Sequence, residues 1–166
     1  KILIDLLEIK KKITKKENFY FIILILIIFF LDRYSKIIIL EKFNENVFYV
    51  NNFLNFDLVW NTGIGFGLLS SNSFLFYNLI SLIIAGVIFA LILFGIRSDK
   101  FDKIVFSIII GGALGNFFDR LIYNAVPDFI DIHYANFHWF TFNVADIFIT
   151  FGIFIYITKE LFIRKN

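Results

Sequence analysis

Apolar residues run along this chain in blocks of membrane length, separated by shorter polar or aromatic stretches. Phe19 to Leu31 is one such block; Asp32, Arg33 and Lys36 interrupt it, and it resumes from Ile37 to Leu40. This predicts a first span over about residues 18–40. Phe74 to Ile96 predicts a second span (74–96), with Asn78 and Ser81 its notable polar groups. Residues 104–123 and 143–163 predict a third and a fourth, the fourth with Asp146 in its first turn. The pattern predicts a mainly α membrane protein with four transmembrane helices, as a single domain over residues 1–166.

The stretches between the blocks differ in kind. Residues 1–16 place Ile2, Leu6, Ile9 and Ile13 on one face and gather six Lys, which fits an amphipathic helix on an anionic membrane surface or a basic tail that sets topology. Residues 41–73 carry β-branched and aromatic residues on both sides of Asn51-Asn52, a hairpin pattern that predicts a small β-element on the outer membrane face. This stretch continues into Asn61-Thr62-Gly63-Ile64-Gly65-Phe66-Gly67, which lacks the Lys-Ser/Thr of a phosphate loop. Residues 124–142 read as an aromatic-rich connection holding the only Pro, Pro127. Phe19–Leu31 also resembles the apolar part of a secretory signal. No small-x-small cleavage site follows it, so an uncleaved span is expected.

Composition supports the membrane reading. Of 166 residues, 59% are hydrophobic and twenty-five are Phe, with a mean hydropathy of +0.80; soluble domains sit near 45–50% apolar. A formal charge of +2 is too small to suggest nucleic acid. The absence of Cys excludes disulfides, thiol nucleophiles and Cys-based metal sites. His133 and His138, the two histidines, read as interface residues rather than metal ligands.

Charge placement sets the orientation. Six Lys precede the first span, three Lys/Arg lie in residues 97–103 and three follow from 159 on, out of sixteen in all. The opposite loops carry Lys42 alone among cations, beside Glu41, Glu45, Asp57, Asp128 and Asp131. The positive-inside rule then puts both termini in the cytoplasm. The ends of the spans that bear Asp32, Asp119 and Asp146 therefore meet near the outer surface.

That convergence is where chemistry is expected. In Gly111-Gly112-Ala113-Leu114-Gly115-Asn116-Phe117-Phe118-Asp119-Arg120, the last polar residues fall at i, i+3 and i+4 on one helix face, while Gly111-x-x-x-Gly115 reads as a helix-packing pattern. The candidate carboxylates are Asp32, Asp119, Asp128 and Asp146, with Asn61, Asn116, Asn143, Arg120 and Lys36 as polar company. Two close carboxylates cannot both ionise cheaply, so they share a proton and can act as acid and base. Each also has a structural reading: Asp32 as the i,i+4 partner of Lys36, Asp146 as helix N-terminal chemistry, Asp128 as a turn residue after Pro127. Arg120 is expected to tie to Asp119 or to a loop carbonyl. The residues alone do not choose the reacting pair. Rival classes are a metal-dependent phospholipid-headgroup transferase, whose multiple-Asp motif on one helix is missing, and an ion carrier or assembly factor, which would place polar residues at mid-bilayer.

Five blocks narrow the choice. LDRYSK (31–36), NTGIGFGLL (61–69), GGALGNFFDR (111–120), PDF (127–129) and FNVAD (142–146) resemble, in order and spacing, those of lipoprotein signal peptidase, or signal peptidase II. The resemblance implies a four-helix aspartic peptidase of the bacterial inner membrane, with a small extracytoplasmic β-rich cradle and its active site at the periplasmic face. It implies removal of the signal peptide from diacylglyceryl-modified prolipoproteins just before the lipidated Cys, with no metal or cofactor. It puts catalysis on Asp128 and Asp146, and substrate-binding or supporting roles on Asp32, Lys36, Asn61, Gly63, Asn116, Asp119, Arg120 and Asn143. Expected partners are lipidated prolipoproteins and membrane lipids, with the chain acting as a monomer. Two positions depart from the family pattern: Pro127 replaces a small or branched apolar residue, and Ile64-Gly65 replaces Ala-Ala.

Overall fold

The structure is a computed structural model describing residues 16–43, 46–63, 74–135 and 137–162. The amphipathic segment expected at the N-terminus and the Ile64-Gly65 departure fall almost wholly or wholly outside these residues. In chain order the elements are α1 (Lys16–Lys42), β1 (Phe48–Asn51), β2 (Leu54–Asn61), α2 (Phe74–Arg97), α3 (Lys100–Tyr123), β3 (Val126–Tyr134), β4 (Phe137–Phe142) and α4 (Val144–Phe162).

Each of the four apolar blocks forms a helix. Two of these, over Tyr77–Arg97 and Lys100–Tyr123, are long and apolar enough to cross a membrane. The other two carry charge inside their apolar run: Asp32, Arg33 and Lys36 in α1, and Asp146, Lys159 and Glu160 in α4. The polarity of the bundle is inverted relative to a soluble protein. Lys36 and Asp32 are 0% exposed, whereas Phe30 is 63% and Phe154 67% exposed. An apolar exterior of this extent suits lipid rather than water.

The charged loop expected over 97–103 is shorter than its composition suggests. Asp99 caps α3 by accepting the Asp102 N–H at 2.9 Å, so Lys100 and Lys103 are already helical. Lys103 Nζ turns back to the carbonyls of Gly95, Ile96 and Ser98, satisfying the end of α2. Lys159 of α4 pairs with Asp99 and Asp102, closing the same end of the bundle.

Close helix approach comes from the glycines of α3. A Cβ on Gly111 would meet Ile28 Cβ at 2.7 Å, and one on Gly112 would meet the Ala145 carbonyl at 2.6 Å. The glycines bring α1 and α4 into backbone contact with α3, as small-xxx-small packing requires. Phe21, Ile25, Ile88, Phe106 and Ile110 fill the core between α1, α2 and α3.

The sheet is larger than the sequence pattern suggests. All four strands pair antiparallel in the order β1-β2-β3-β4. The first hairpin pairs Asn51 with Leu54, so its turn is Asn52-Phe53, one residue later than expected. Asn51 Oδ1 accepts the Phe53 N–H at 2.8 Å, the Asx geometry that lets Asn start a turn. The stretch over 124–142, expected as a connection, instead supplies β3 and β4. Its strand signal is obscured because Asp128 and Asp131, the residues least suited to a buried strand, are both buried within β3. Asp128 is accordingly a strand residue and not a turn residue; Val59 pairs with it across the sheet. Asn124, left-handed at φ 56°, ends α3 and redirects the chain into β3.

Candidate active site

The four expected carboxylates come from α1, α3, β3 and α4 and gather at one end of the bundle. Asn143 precedes α4 and caps it. Its side-chain Oδ1 accepts the Asp146 N–H at 3.0 Å, and Asp146 Oδ2 accepts the Asn143 N–H at 3.2 Å. This is a capping box built from Asn and Asp. The helix-terminal reading of Asp146 is therefore correct as far as it goes, and the same geometry turns its carboxylate toward β3.

Every oxygen of Asp128 and Asp146 receives an N–H. Asp128 Oδ1 accepts from Asn143 Nδ2 at 2.5 Å and Oδ2 from Asn61 Nδ2 at 2.9 Å. Asp146 Oδ1 accepts from Asn116 Nδ2 at 2.8 Å, and Oδ2 takes the Asn143 N–H already described. Asn143 thus touches both carboxylates. The neutral amides orient the acids without neutralising them. Burial, and then the Asp146 charge, push the Asp128 carboxyl up to about 7.

Behind the pair lies an ionic lattice centred on the fully buried Lys36, Asp32 and Asp119. Lys36 Nζ uses its three donors on Asp32 Oδ2 at 2.7 Å, Asp119 Oδ2 at 2.7 Å and Asn116 Oδ1 at 2.8 Å. Asp32 Oδ1 accepts the Ala145 N–H at 2.9 Å, in the first turn of α4, where the helix dipole favours a carboxylate. Asp119 Oδ1 pairs with Arg33, whose guanidinium lies 4.8 Å from the centroid of the Phe118 ring. Arg33 is absent from the expected site residues, although its i,i+3 spacing from Lys36 puts both cations on one face. Arg120 does not bond its neighbour Asp119; it donates to the Gly63 carbonyl, the loop alternative, and accepts the Tyr77 hydroxyl on its own carbonyl at 3.1 Å. Gly63 N donates to Asn61 Oδ1 at 2.8 Å, which fixes that loop against the Asn on Asp128.

Beside Asp146 opens a cavity of about 420 Å³ lined by Phe140, Phe142, Ile147, Thr150, Phe151 and Phe154. It is almost wholly apolar apart from Asp146 and Thr150. A carboxylate that lines an apolar groove, with a second acid held through the same Asn143, can activate a water against a bond carried by a lipid-soluble chain.

Comparison with known proteins gives this geometry a lineage. Residues 24–162 match the family described as signal peptidase (SPase) II. The chain belongs to the signal peptidase II family. The lipoprotein signal peptidase of Pelagibacter ubique is 47% identical over 158 residues, covering 93% of this chain and 95% of that one. That of Francisella tularensis subsp. novicida is 40% identical over 121 residues, covering 70% and 75%. A solved structure of a bacterial membrane enzyme superposes with a TM-score of 0.72 at 32% identity, over 86% of this chain and 87% of that one. A second superposes with a TM-score of 0.70 at 31% identity, over 86% and 93%. The signal peptidase II blocks of the sequence coincide with the residues that meet at the carboxylates: LDRYSK supplies the lattice, and FNVAD supplies both Asn143 and Asp146.

Proposed function

We propose that this protein is an intramembrane aspartic endopeptidase that removes the signal peptide from diacylglyceryl-modified prolipoproteins, cutting just before the lipidated Cys. As a member of its family it is a peptidase acting on prolipoprotein signal peptides. The aspartic mechanism rests on one observation, the charge balance at the site. Asp32, Asp119, Asp128 and Asp146 are buried there with Arg33, Lys36 and Arg120. Four acids against three cations leave one negative charge in excess, and a single shared proton removes it. Lys36 and Arg33 are committed to Asp32 and Asp119, so the proton belongs to Asp128 and Asp146. The ionised member of the pair takes a proton from water while the protonated member donates to the carbonyl oxygen under attack. The supporting roles follow from contact: Asn61, Asn116 and Asn143 orient the acids, Asp32, Lys36 and Asp119 fix the helices, and Arg120 with Gly63 shapes the entry.

The whole chain acts as one domain, four spans deep, with both termini cytoplasmic and the sheet on the periplasmic side. The apolar groove beside Asp146 suits acyl chains, each buried CH₂ contributing about 0.8 kcal/mol. The test is incubation of purified protein with a diacylglyceryl-prolipoprotein and with its unlipidated form, with and without chelator. Cleavage of the lipidated form alone, indifferent to chelator, is expected. Loss of cleavage with chelator, or equal cleavage of both forms, overturns the reading in favour of a metal enzyme or of a general peptidase.

A further inference from the structure

Away from the acid pair, the β3–β4 hairpin gathers a second set of donors. Asp131 and His133 are two apart on β3, so strand alternation turns both to one face. His138 is the cross-strand partner of His133, and the register shift between Asp131 and His133 draws the three side chains together. His138 Nδ1 lies 2.8 Å from Asp131 Oδ2, and His133 Nδ1 lies 3.6 Å from the same oxygen. The two imidazoles stack with centroids 5.0 Å apart, and one donor atom from each of the three residues falls within 4.8 Å of the others.

Burial makes this more than a surface cluster. Asp131 and His133 are 4% and 7% exposed, and His133 Nδ1 is buried without a hydrogen bond. Such an orphaned polar atom is ordinarily unfavourable, because it has lost its water without gaining a partner. It is aimed at a carboxylate oxygen that already faces a second imidazole. The His138 side chain is 56% exposed, which leaves the cluster open on one side.

We propose that Asp131, His133 and His138 form a binding site for a divalent transition-metal ion of the Zn²⁺ class, separate from the acid pair. Two imidazole nitrogens and one carboxylate oxygen suit a borderline ion, whereas Mg²⁺ and Ca²⁺ favour oxygen alone. Ligand bonds of about 2.0–2.2 Å put neighbouring donors about 3.3–3.6 Å apart around a tetrahedral ion. The observed separations of 2.8 and 3.6 Å bracket that spacing. Three protein ligands leave a fourth position to water, on the side where His138 is exposed. The ion gives the orphaned His133 nitrogen a partner and ties β4 to β3, the strand that carries Asp128 three residues earlier. Its effect is on hairpin stability and not on the hydrolytic step.

The experiment uses the full chain without a polyhistidine tag, stripped with EDTA and then dialysed against Zn²⁺. One saturable Zn²⁺ per chain and a raised midpoint of thermal unfolding are expected. His138→Ala and His133→Ala should each weaken binding by more than about tenfold and abolish the thermal shift. The exposed His138 makes the first of these the decisive variant, since it should match the wild-type midpoint in EDTA. Excess Mg²⁺ should not displace the ion. Absence of saturable Zn²⁺, unchanged affinity in His138→Ala, or displacement by Mg²⁺ overturns the proposal.

Discussion

Asn143 and Asp146 hold each other: the backbone N–H of each donates to the side chain of the other, at 3.2 and 3.0 Å. The same Asn143 reaches Asp128 through Nδ2 at 2.5 Å, so one helix cap sets the orientation of both acids. Asn143→Ala should lower kcat by about 100-fold with little change in KM, because it removes orientation and not substrate contact. The lost cap adds about 1 kcal/mol of destabilisation. Steady-state cleavage with a lipidated peptide, beside a thermal melt, separates the two effects.

Asp128→Asn and Asp146→Asn should each abolish prolipoprotein processing while leaving membrane insertion intact. Each amide keeps the size of the carboxyl it replaces but cannot exchange the shared proton. Accumulation of unprocessed prolipoprotein on a gel, with normal amounts of the variant in membranes, is the readout. Full processing by either variant removes that residue from the mechanism.

The Asp128 carboxyl, raised from an ordinary value of 3.8 to about 7, gives a pH dependence with a definite sign. Its protonated form is favoured in the fold. The stabilisation is therefore fully present below 3.8 and is lost as pH rises through about 7. Cleavage should fall on the same alkaline limb, since the pair then loses its proton. A pH–rate profile checks the second statement. Thermal melts across that range check the first, and Asp128→Asn should flatten their pH dependence.

Removing Lys36 should be far more damaging than removing a surface cation. Lys36→Met leaves Asp32 and Asp119 buried with fewer partners, and breaking a buried pair typically costs about 3–5 kcal/mol. Lys100→Met, whose partner Glu17 lies 3.5 Å away at an exposed position, should change the midpoint little. Melts of the two variants in detergent make the comparison.

Two glycines give opposite expectations on substitution. A Cβ on Gly112 would strike the Ala145 carbonyl, so Gly112→Ala should separate α3 from α4 and cost about 1–3 kcal/mol. Gly86, in α2, has open space where a methyl group would go, with nothing within 4 Å, and Gly86→Ala should be neutral or stabilise by up to about 1 kcal/mol. Equal effects in a thermal melt would contradict the packing described for α3.

The helices are legible in the sequence because their signal is a run of apolar residues, and that signal survives any arrangement of neighbours. The extent of α3 is less so: Lys100 and Lys103 look like loop residues until Lys103 is seen capping α2. β3 is hidden for a related reason. A strand holding Asp128, Asp131 and Pro127 violates local strand preference, and its stability comes from partners distant in sequence, including Asn61 sixty-seven residues away. The acids of the site can be gathered by topology alone, but periodicity cannot rank them. Their ranking depends on which are matched by cations, and Arg33 opposite Asp119 is a pairing across 86 residues that no local pattern announces.

The lattice around Lys36 also governs how the protein can be divided. A cut at Ser98 would leave Asp32, Arg33 and Lys36 on one piece and Asp119, Arg120, Asp128 and Asp146 on the other. Of these site charges, the first piece carries surplus positive and the second surplus negative, so neither set is electroneutral in a bilayer. The two halves are thereby complementary as ions as well as in shape, and their reunion leaves a single negative charge, which one proton held by the acids neutralises.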